Sequence, residues 1–268
     1  MNKKLITIDL DGTTLGNNSE LTEKTKQTLR NADRAGHIVS IATGRPYRLS
    51  KDIYHELGIQ TPITNFNGAF CHFPGQEKWA PEYHLTVSKE IAFEAMKLKK
   101  EINIEMVCAE VHNNVLSDKI MDHPYFFPVK KDVASLTSNS LTEDPTSICI
   151  FAEPEELILI RDELSKRCGN TFEARTWGGA VACLELVQPG VQKALGVQKL
   201  AEFYDIDQKD IISLGDEDND MEMIQYAGVG VAMQNAIPEL KKVADLVTEK
   251  PNHEDGLAHF LDEYLALV

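Results

Sequence analysis

Apolar residues along this chain fall into two spacings, and the order in which those spacings occur predicts its architecture. Residues 3 to 10 (KKLITIDL) form a short β-branched run bounded by charge on one side and by Asp11-Gly12 on the other, which predicts a buried strand. A helix is predicted over 22 to 35, with Thr22 as N-cap, Leu29 and Ala32 on one face and Gly36 as its stop. Residues 37 to 42 (HIVSIA) predict a second strand that runs out at Thr43-Gly44-Arg45, and Pro46 then opens a helix that ends at Gly58. The alternation returns late in the chain, with a helix over 192 to 204, a strand over 210 to 215 (DIISLG), a helix over 219 to 227, strands over 228 to 233 and 244 to 248, and a terminal helix from 255. Such alternation implies a parallel sheet with right-handed crossovers, in which the loops at the carboxyl ends of the strands form the ligand crevice.

The middle of the chain is ordered differently: a helix over 88 to 101, strand-like stretches over 105 to 116 and 146 to 152, a helix over 154 to 167, and strands over 172 to 177 and 182 to 188. The predicted fold class is therefore α/β, a Rossmann-like doubly wound parallel sheet core made by residues 1–83 plus 190–268, with an inserted α+β cap domain at 84–189. Pro81 and Pro189-Gly190 are the expected hinges. A second domain hinged over the crevice implies a lid that excludes water and selects substrate.

With 43% hydrophobic and 26% charged residues the chain is an ordinary globular sequence, without low-complexity tracts or internal repeats. The formal net charge of -15, from 27 Lys+Arg against 42 Asp+Glu, repels nucleic acid and anionic membranes, and no basic cluster offsets it. The same charge opposes a phosphorylated ligand, so a phosphate site here must carry its own positive charge from a metal, Lys, Arg or helix N-termini. Cys71, Cys108, Cys149, Cys168 and Cys183 are scattered and odd in number, with no C-x-x-C pair, so free thiols are expected rather than disulfides or zinc. The apolar run after Lys3-Lys4 is too short for a signal peptide or a membrane span, and a reducing, cytoplasmic setting is expected.

Both early strand ends and one late strand end carry chemistry. Asp9-Leu10-Asp11-Gly12-Thr13 stands where a hydrophobic strand runs into a loop. If the strand ends at Asp9, the turn at Gly12 lets the Asp9 carboxylate and the Asp11 carbonyl share a hard cation and leaves the Asp11 side chain to handle protons; the competing reading is acidic residues capping a turn. Thr43-Gly44-Arg45 offers a hydroxyl and an unhindered amide suited to phosphoryl oxygens, although Thr-Gly after a strand is also common turn chemistry, and Arg45 reads as a residue that orients loops by bonding carbonyls. Gly215-Asp216-Glu217-Asp218-Asn219-Asp220 follows another buried strand and opens a helix. Asp216 is the best further metal ligand there, Asn219 reaches for phosphate, and Asp220 orients a lysine or a metal-bound water, while N-capping accounts for Glu217 or Asp218. No Glu stands twelve positions into that segment, where Ala227 is found, so it is not an acidic calcium loop. Lys193 lies at a helix start, where the macrodipole disfavours a cation, so it needs anionic neighbours and reads as a phosphate clamp; a solvated surface lysine is the bland alternative.

Asp9-Leu10-Asp11-Gly12-Thr13, Thr43-Gly44-Arg45, Lys193 and Gly215-Asp216-x-x-Asn219-Asp220 together resemble, in order, the four motifs of the haloacid dehalogenase-like hydrolase superfamily, over nearly the whole chain. Asn67-Gly68-Ala69 and the α+β insertion are similar to its Cof-type, class IIB cap, sugar-phosphatase branch. The resemblance implies that Asp9 is the nucleophile and Asp11 the general acid and then base. It places Mg²⁺ on Asp9, the Asp11 carbonyl and Asp216, and phosphate on the Leu10 amide, Thr43, Gly44, Lys193 and Asn219. Arg45, Asn67 and Asp220 take supporting places. Lys193 is flanked by Gln192 and Ala194, where relatives often carry Ser and Gly.

The expected activity is Mg²⁺-dependent hydrolysis of a small phosphorylated metabolite through a phosphoaspartate. The alternatives are a phosphotransferase or mutase of the same superfamily, and a binding protein with a vestigial site, whose sign would be a missing nucleophile or metal ligand; none is missing. A dinucleotide-binding oxidoreductase is weaker, because Gly228-Val229-Gly230 lacks a third glycine and sits on a predicted strand. His112, His123 and His253 show no ligand spacing, and Tyr125-Phe126-Phe127 is expected in the core of the insertion.

Overall fold

The computed structural model describes residues 2–76, 78–120, 133–177 and 182–267. The histidine His123 and the aromatic run Tyr125-Phe126-Phe127 lie outside the described residues. The chain divides into two compact units, Met1–Tyr83 with Gln192–Val268, and His84–Val191.

The first unit opens with β1 (Leu5–Ile8), α1 (Glu23–Arg34), β2 (Ile38–Ile41) and α2 (Tyr47–Leu57). Thr22 caps α1 as expected, its Oγ1 accepting from Thr25 N at 3.1 Å. The strand expected over 3 to 10 is shorter, because the backbone leaves the sheet after Ile8 and turns through Leu10–Thr14. Three short strands follow that the hydrophobic pattern did not reveal: β3 (Ile63–Asn65), β4 (Phe70–His72) and the two-residue β5 (Tyr83–His84), which form a small sheet. Runs this short give no readable alternation.

The second unit contains α3 (Lys89–Leu98), β6 (Ile104–Val111), β7 (Asn114–Ser117), β8 (Val133–Ser135), β9 (Ser147–Ala152), α4 (Pro154–Cys168), β10 (Glu173–Trp177) and β11 (Cys183–Val187). Its six strands are ordered β10-β11-β9-β6-β7-β8. The single stretch expected over 105 to 116 is a hairpin: His112 takes a left-handed φ of +52°, and both arms carry the same apolar character, so the turn is hidden in the pattern. Ile148, Ile150, Leu184 and Leu186 pack one sheet face against Ile91, Ala95, Leu157 and Ile160 of α3 and α4. Met106, Cys108, Cys149, Phe151 and Cys183 form a smaller cluster on alternate positions of the same strands.

The chain then continues as α5 (Lys193–Tyr204), β12 (Ile211–Gly215), α6 (Met221–Tyr226), β13 (Val229–Ala232), α7 (Pro238–Val243), β14 (Leu246–Val247) and α8 (Gly256–Tyr264). The six residues of α7 are too few for a helical period and were not predicted. Gly230 lies within β13 rather than at a strand end, which removes the dinucleotide reading. The five main strands are all parallel, in the order β14-β13-β12-β1-β2, and Leu5, Ile6, Ile8, Ile41, Ile212, Leu214 and Val231 bury their side chains completely or almost so. This is the parallel α/β core with a separate α+β unit that the sequence implies, and the six-stranded sheet of that unit is antiparallel apart from the parallel β7–β8 pair.

All five cysteines are free thiols, four of them buried and Cys168 half-buried. Among the described residues no helix is long and apolar enough to cross a membrane. The apolar run Leu157-Ile158-Leu159-Ile160 on α4 is split by the helix: Ile160 is fully buried, whereas Ile158 is 62% exposed. Ile150→Ala, in the core of the second unit, should therefore cost about 2–5 kcal/mol in urea titrations, and Ile158→Gln should change stability by less than about 0.5 kcal/mol.

Candidate active site

Sheet register brings the sequence motifs to one level. Ile8 lies opposite both Ile41 on β2 and Leu214 on β12, so the three strands run out together. Asp9 N still donates to Leu214 O at 3.1 Å and Ala42 N to Ile8 O at 2.9 Å, which hands the chain over from sheet to crevice at this level.

After Asp9 the backbone turns sharply, with Gly12 at φ +72°. A Cβ at Gly12 would fall 2.1 Å from Asp216 Oδ2, so glycine meets both a conformational and a steric demand there. Thr14 Oγ1 donates to Asp9 O at 2.5 Å and Thr13 Oγ1 to Asp216 Oδ1 at 2.7 Å. From behind, Asn235 Nδ2 holds Gly12 O at 2.8 Å, Asn252 Nδ2 holds Leu15 O at 2.7 Å, and the Asn252 amide bonds Asn235 Oδ1 at 2.9 Å. These threonine and asparagine braces were not found from the sequence. Thr13 stands within its motif, but nothing local marks Asn235 or Asn252, whose partners Gly12 and Leu15 lie more than 200 residues away.

Lys193, the first residue of α5, is fully buried. Its Nζ lies 2.7 Å from Asp9 Oδ1 and 2.6 Å from Asp220 Oδ1. Asp220 is saturated, because its Oδ2 also accepts the Asp216 and Glu217 amides at 2.9 and 3.1 Å, and it forms a capping box with Glu217. Carboxylate oxygens of Asp9, Asp216 and Asp220 all lie within 4.8 Å of one another. Burial raises Asp9 to about 7, against the attraction of Lys193 and with the repulsion of Asp220. Burial likewise raises Asp216 to about 8, assisted by repulsion from Asp9. Burial opposes the charge on Lys193, but the Asp220 and Asp9 carboxylates outweigh it and raise its pKa. One ammonium among three buried carboxylates leaves the cluster short of positive charge.

Arg45 has a role the sequence did not show. Besides the Leu49 carbonyl at 3.3 Å, its guanidinium grips the Asp11 carboxylate with Nε to Oδ2 at 2.7 Å and Nη2 to Oδ1 at 2.5 Å. The Asp11 side chain is 52% exposed and is not part of the acid cluster. Leu10 opens the turn with its side chain in the core. Thr43, which follows the Ala42 bridge to Thr64, accepts the Arg45 amide on Oγ1 at 3.1 Å and so keeps its own O–H as a donor. Gly44 lies against Asn67, and Asn219 Nδ2 donates to Asn67 Oδ1 at 2.8 Å.

A family model described as haloacid dehalogenase-like hydrolase matches residues 6–261. The chain belongs to that family. The 5-amino-6-(5-phospho-D-ribitylamino)uracil phosphatase YitU of Bacillus subtilis is 38% identical over 267 residues, covering 98% of each chain. A crystal structure of a haloacid dehalogenase-like hydrolase from Bacteroides thetaiotaomicron superimposes with a TM-score of 0.85 at 25% identity, over 98% of this chain and 100% of the other. A subclass IIB sugar phosphatase of the superfamily shares the fold with a TM-score of 0.76 at 22% identity, over 99% of this chain and 100% of that one. The Cof-type resemblance is borne out, and the chain is a hydrolase whose relative YitU is named a phosphatase.

The hydrolase suits a small hard cation. The donors are carboxylates, and one oxygen of Asp9 and one of Asp216 accept no hydrogen bond among the described residues. The charge deficit of the cluster is the reason to expect such an ion, and it makes stability depend on pH. Both carboxyls hold protons in the folded state above 3.8, where the unfolded chain has lost them. The folded state therefore binds more protons, and stability falls as pH rises from about 4 through about 7 and 8. In chelator, urea titrations should show this decline, Asp216→Asn should flatten it, and Mg²⁺ should raise the melting temperature more at high pH than at low. Lys193→Met leaves the carboxylates without their buried partner and should cost about 3–5 kcal/mol in chelator at alkaline pH.

Proposed function

We propose that this hydrolase is a metal-dependent phosphatase of small phosphorylated metabolites that works through a phosphoaspartate on Asp9. The observation that carries the reading is Lys193 bridging Asp9 and Asp220 at 2.7 and 2.6 Å, with Asp216 in the same buried cluster. A carboxylate attacking a phosphate monoester brings two anions together, and attack is feasible only where fixed positive charge offsets them. Lys193 supplies that charge without the cost of reorganising solvent. Asp9, Asp216 and the Asp11 carbonyl would hold Mg²⁺, which when bound offsets charge on the carboxylate and the phosphoryl oxygens.

In the first step an Asp9 carboxylate oxygen forms a bond to phosphorus, the ester P–O bond breaks, and Asp11 gives its proton to the leaving alkoxide. In the second, Asp11 takes a proton from water as the water oxygen bonds to phosphorus, the acyl phosphate opens, and Asp9 returns as a carboxylate with inorganic phosphate released. The Leu10 amide, the Thr43 hydroxyl, the Gly44 amide, Lys193 and Asn219 hold the phosphoryl oxygens. Arg45 holds both Asp11 oxygens while Asp11 is a carboxylate, and one of those two bonds must open for Asp11 to carry the proton it donates. Selection of the leaving group is assigned to the inserted unit. The similarity to YitU makes a phosphorylated ribitylaminopyrimidine the first compound to assay, followed by sugar phosphates.

Phosphate release over a panel of phosphorylated metabolites should require Mg²⁺, vanish in Asp9→Asn with folding intact, and fall roughly 10²–10⁴-fold in Asp11→Asn. Turnover retained by Asp9→Asn would reject the covalent route.

A further inference from the structure

The turn at Phe66–Gly68 has an unusual backbone. Phe66, Asn67 and Gly68 lie at φ +51°, +54° and +102° in succession. For Phe66, a bulky and almost fully buried residue, this conformation costs energy that surrounding contacts must hold in place. Besides the turn's own Ala69 N–H to Phe66 O bond at 3.0 Å, bonds from the crevice supply that hold. Phe66 N donates to Arg45 O at 3.3 Å, Asn67 N to Thr43 O at 3.1 Å, and Asn65 Nδ2 to Arg45 O at 2.8 Å. Gly68 presses onto the residue before Lys193, since a Cβ there would stand 2.0 Å from Gln192 O.

What this strained turn presents is the side chain of Asn67. It is only 8% exposed, and it lies flat against Gly44, where a Cβ would be 3.0 Å from its Oδ1 and 3.3 Å from its Nδ2. Its Oδ1 accepts from Asn219 Nδ2 at 2.8 Å. Its Nδ2 has no acceptor among the described residues, although the residue is more than nine-tenths buried. The Nδ2 atom itself keeps contact with solvent, so it stands at the crevice as a donor that a ligand can take.

We propose that Asn67 is a further phosphate ligand, its Nδ2 donating to a phosphoryl oxygen held beside Gly44 and Asn219. The assignment rests on the phosphatase reading of this crevice. It differs from a role in which Asn67 only orients Asn219, because that role needs the Oδ1 acceptor and not the Nδ2 donor.

Two substitutions test the assignment, and the first of them keeps the Asn219 contact. Asn67→Asp keeps an acceptor for Asn219 but removes the donor, and Asn67→Gly removes the amide while accepting the left-handed backbone without strain. Binding of inorganic phosphate to the full chain with Mg²⁺ is measured by calorimetry in the cold, with thermal melts to show that each variant is folded there. Loss of a hydrogen bond to a charged group predicts roughly 10- to 100-fold weaker phosphate binding in Asn67→Gly. Asn67→Asp, which adds an anion, should be weaker still. Wild-type-like affinity in Asn67→Asp, or in Asn67→Gly, overturns the proposal. A wild-type chain that binds phosphate but hydrolyses no monoester defeats the phosphatase reading and leaves Asn67 to be judged by its variants, whereas a wild-type chain that binds no phosphate defeats both.

Discussion

A lysine ammonium with no access to water is what the crevice is built around. Removing such an ion from solvent costs several kcal/mol, and only close, well-aimed carboxylates return it. Lys193 finds one after β1 and one beyond β12, so the position of a single nitrogen fixes the first turn of α5 against two loops that are far apart in the sequence. The same contacts crowd three acids together. Their mutual repulsion, added to burial, holds two of them near neutrality, and the cluster is left with an appetite for a further cation.

The precision of this arrangement comes from the sheet. Parallel pairing sets Ile8 level with both Ile41 and Leu214, so Asp9 comes level with Ala42 and Gly215, and Thr43 and Asp216 follow one residue further out. Side chains then lock the loops: threonines from the front of the Gly12 turn, asparagines from behind it, and Arg45 across it onto Asp11. Division of labour follows from these bonds. Asp220 spends every oxygen on structure, whereas Asp9 and Asp216 each keep one in reserve.

The sequence made the core strands legible because each is a β-branched run ending in an acidic or glycine-rich loop, as at Asp9 and Asp216. Lys193 was legible as a cation in an unfavourable place at a helix start. Elements shorter than a period were invisible, which accounts for β3, β4, β8 and α7. So was the split of residues 105 to 116 into β6 and β7, because the two arms of that hairpin share one apolar pattern. Pairings such as Arg45 with Asp11, Asn67 with Asn219 and Asn235 with Gly12 were hidden for another reason. Each joins residues 34 to 223 positions apart, and no local preference encodes a contact that only the finished fold creates.

The pairing of β1 with β12 also sets an order of events during synthesis. The hydrophobic strand Leu5–Ile8 is made some two hundred positions before its neighbour Ile211–Gly215. Until then the early half carries an unpaired, aggregation-prone edge that awaits its partner. The inserted unit, which has a core of its own, is synthesised whole while that edge still waits. Collapse of this unit shortens the loop that must be closed to bring the late strand home. Beyond any part it plays at the crevice, the insertion thus bears on whether the ribosome's product reaches its native sheet before it meets another copy of itself.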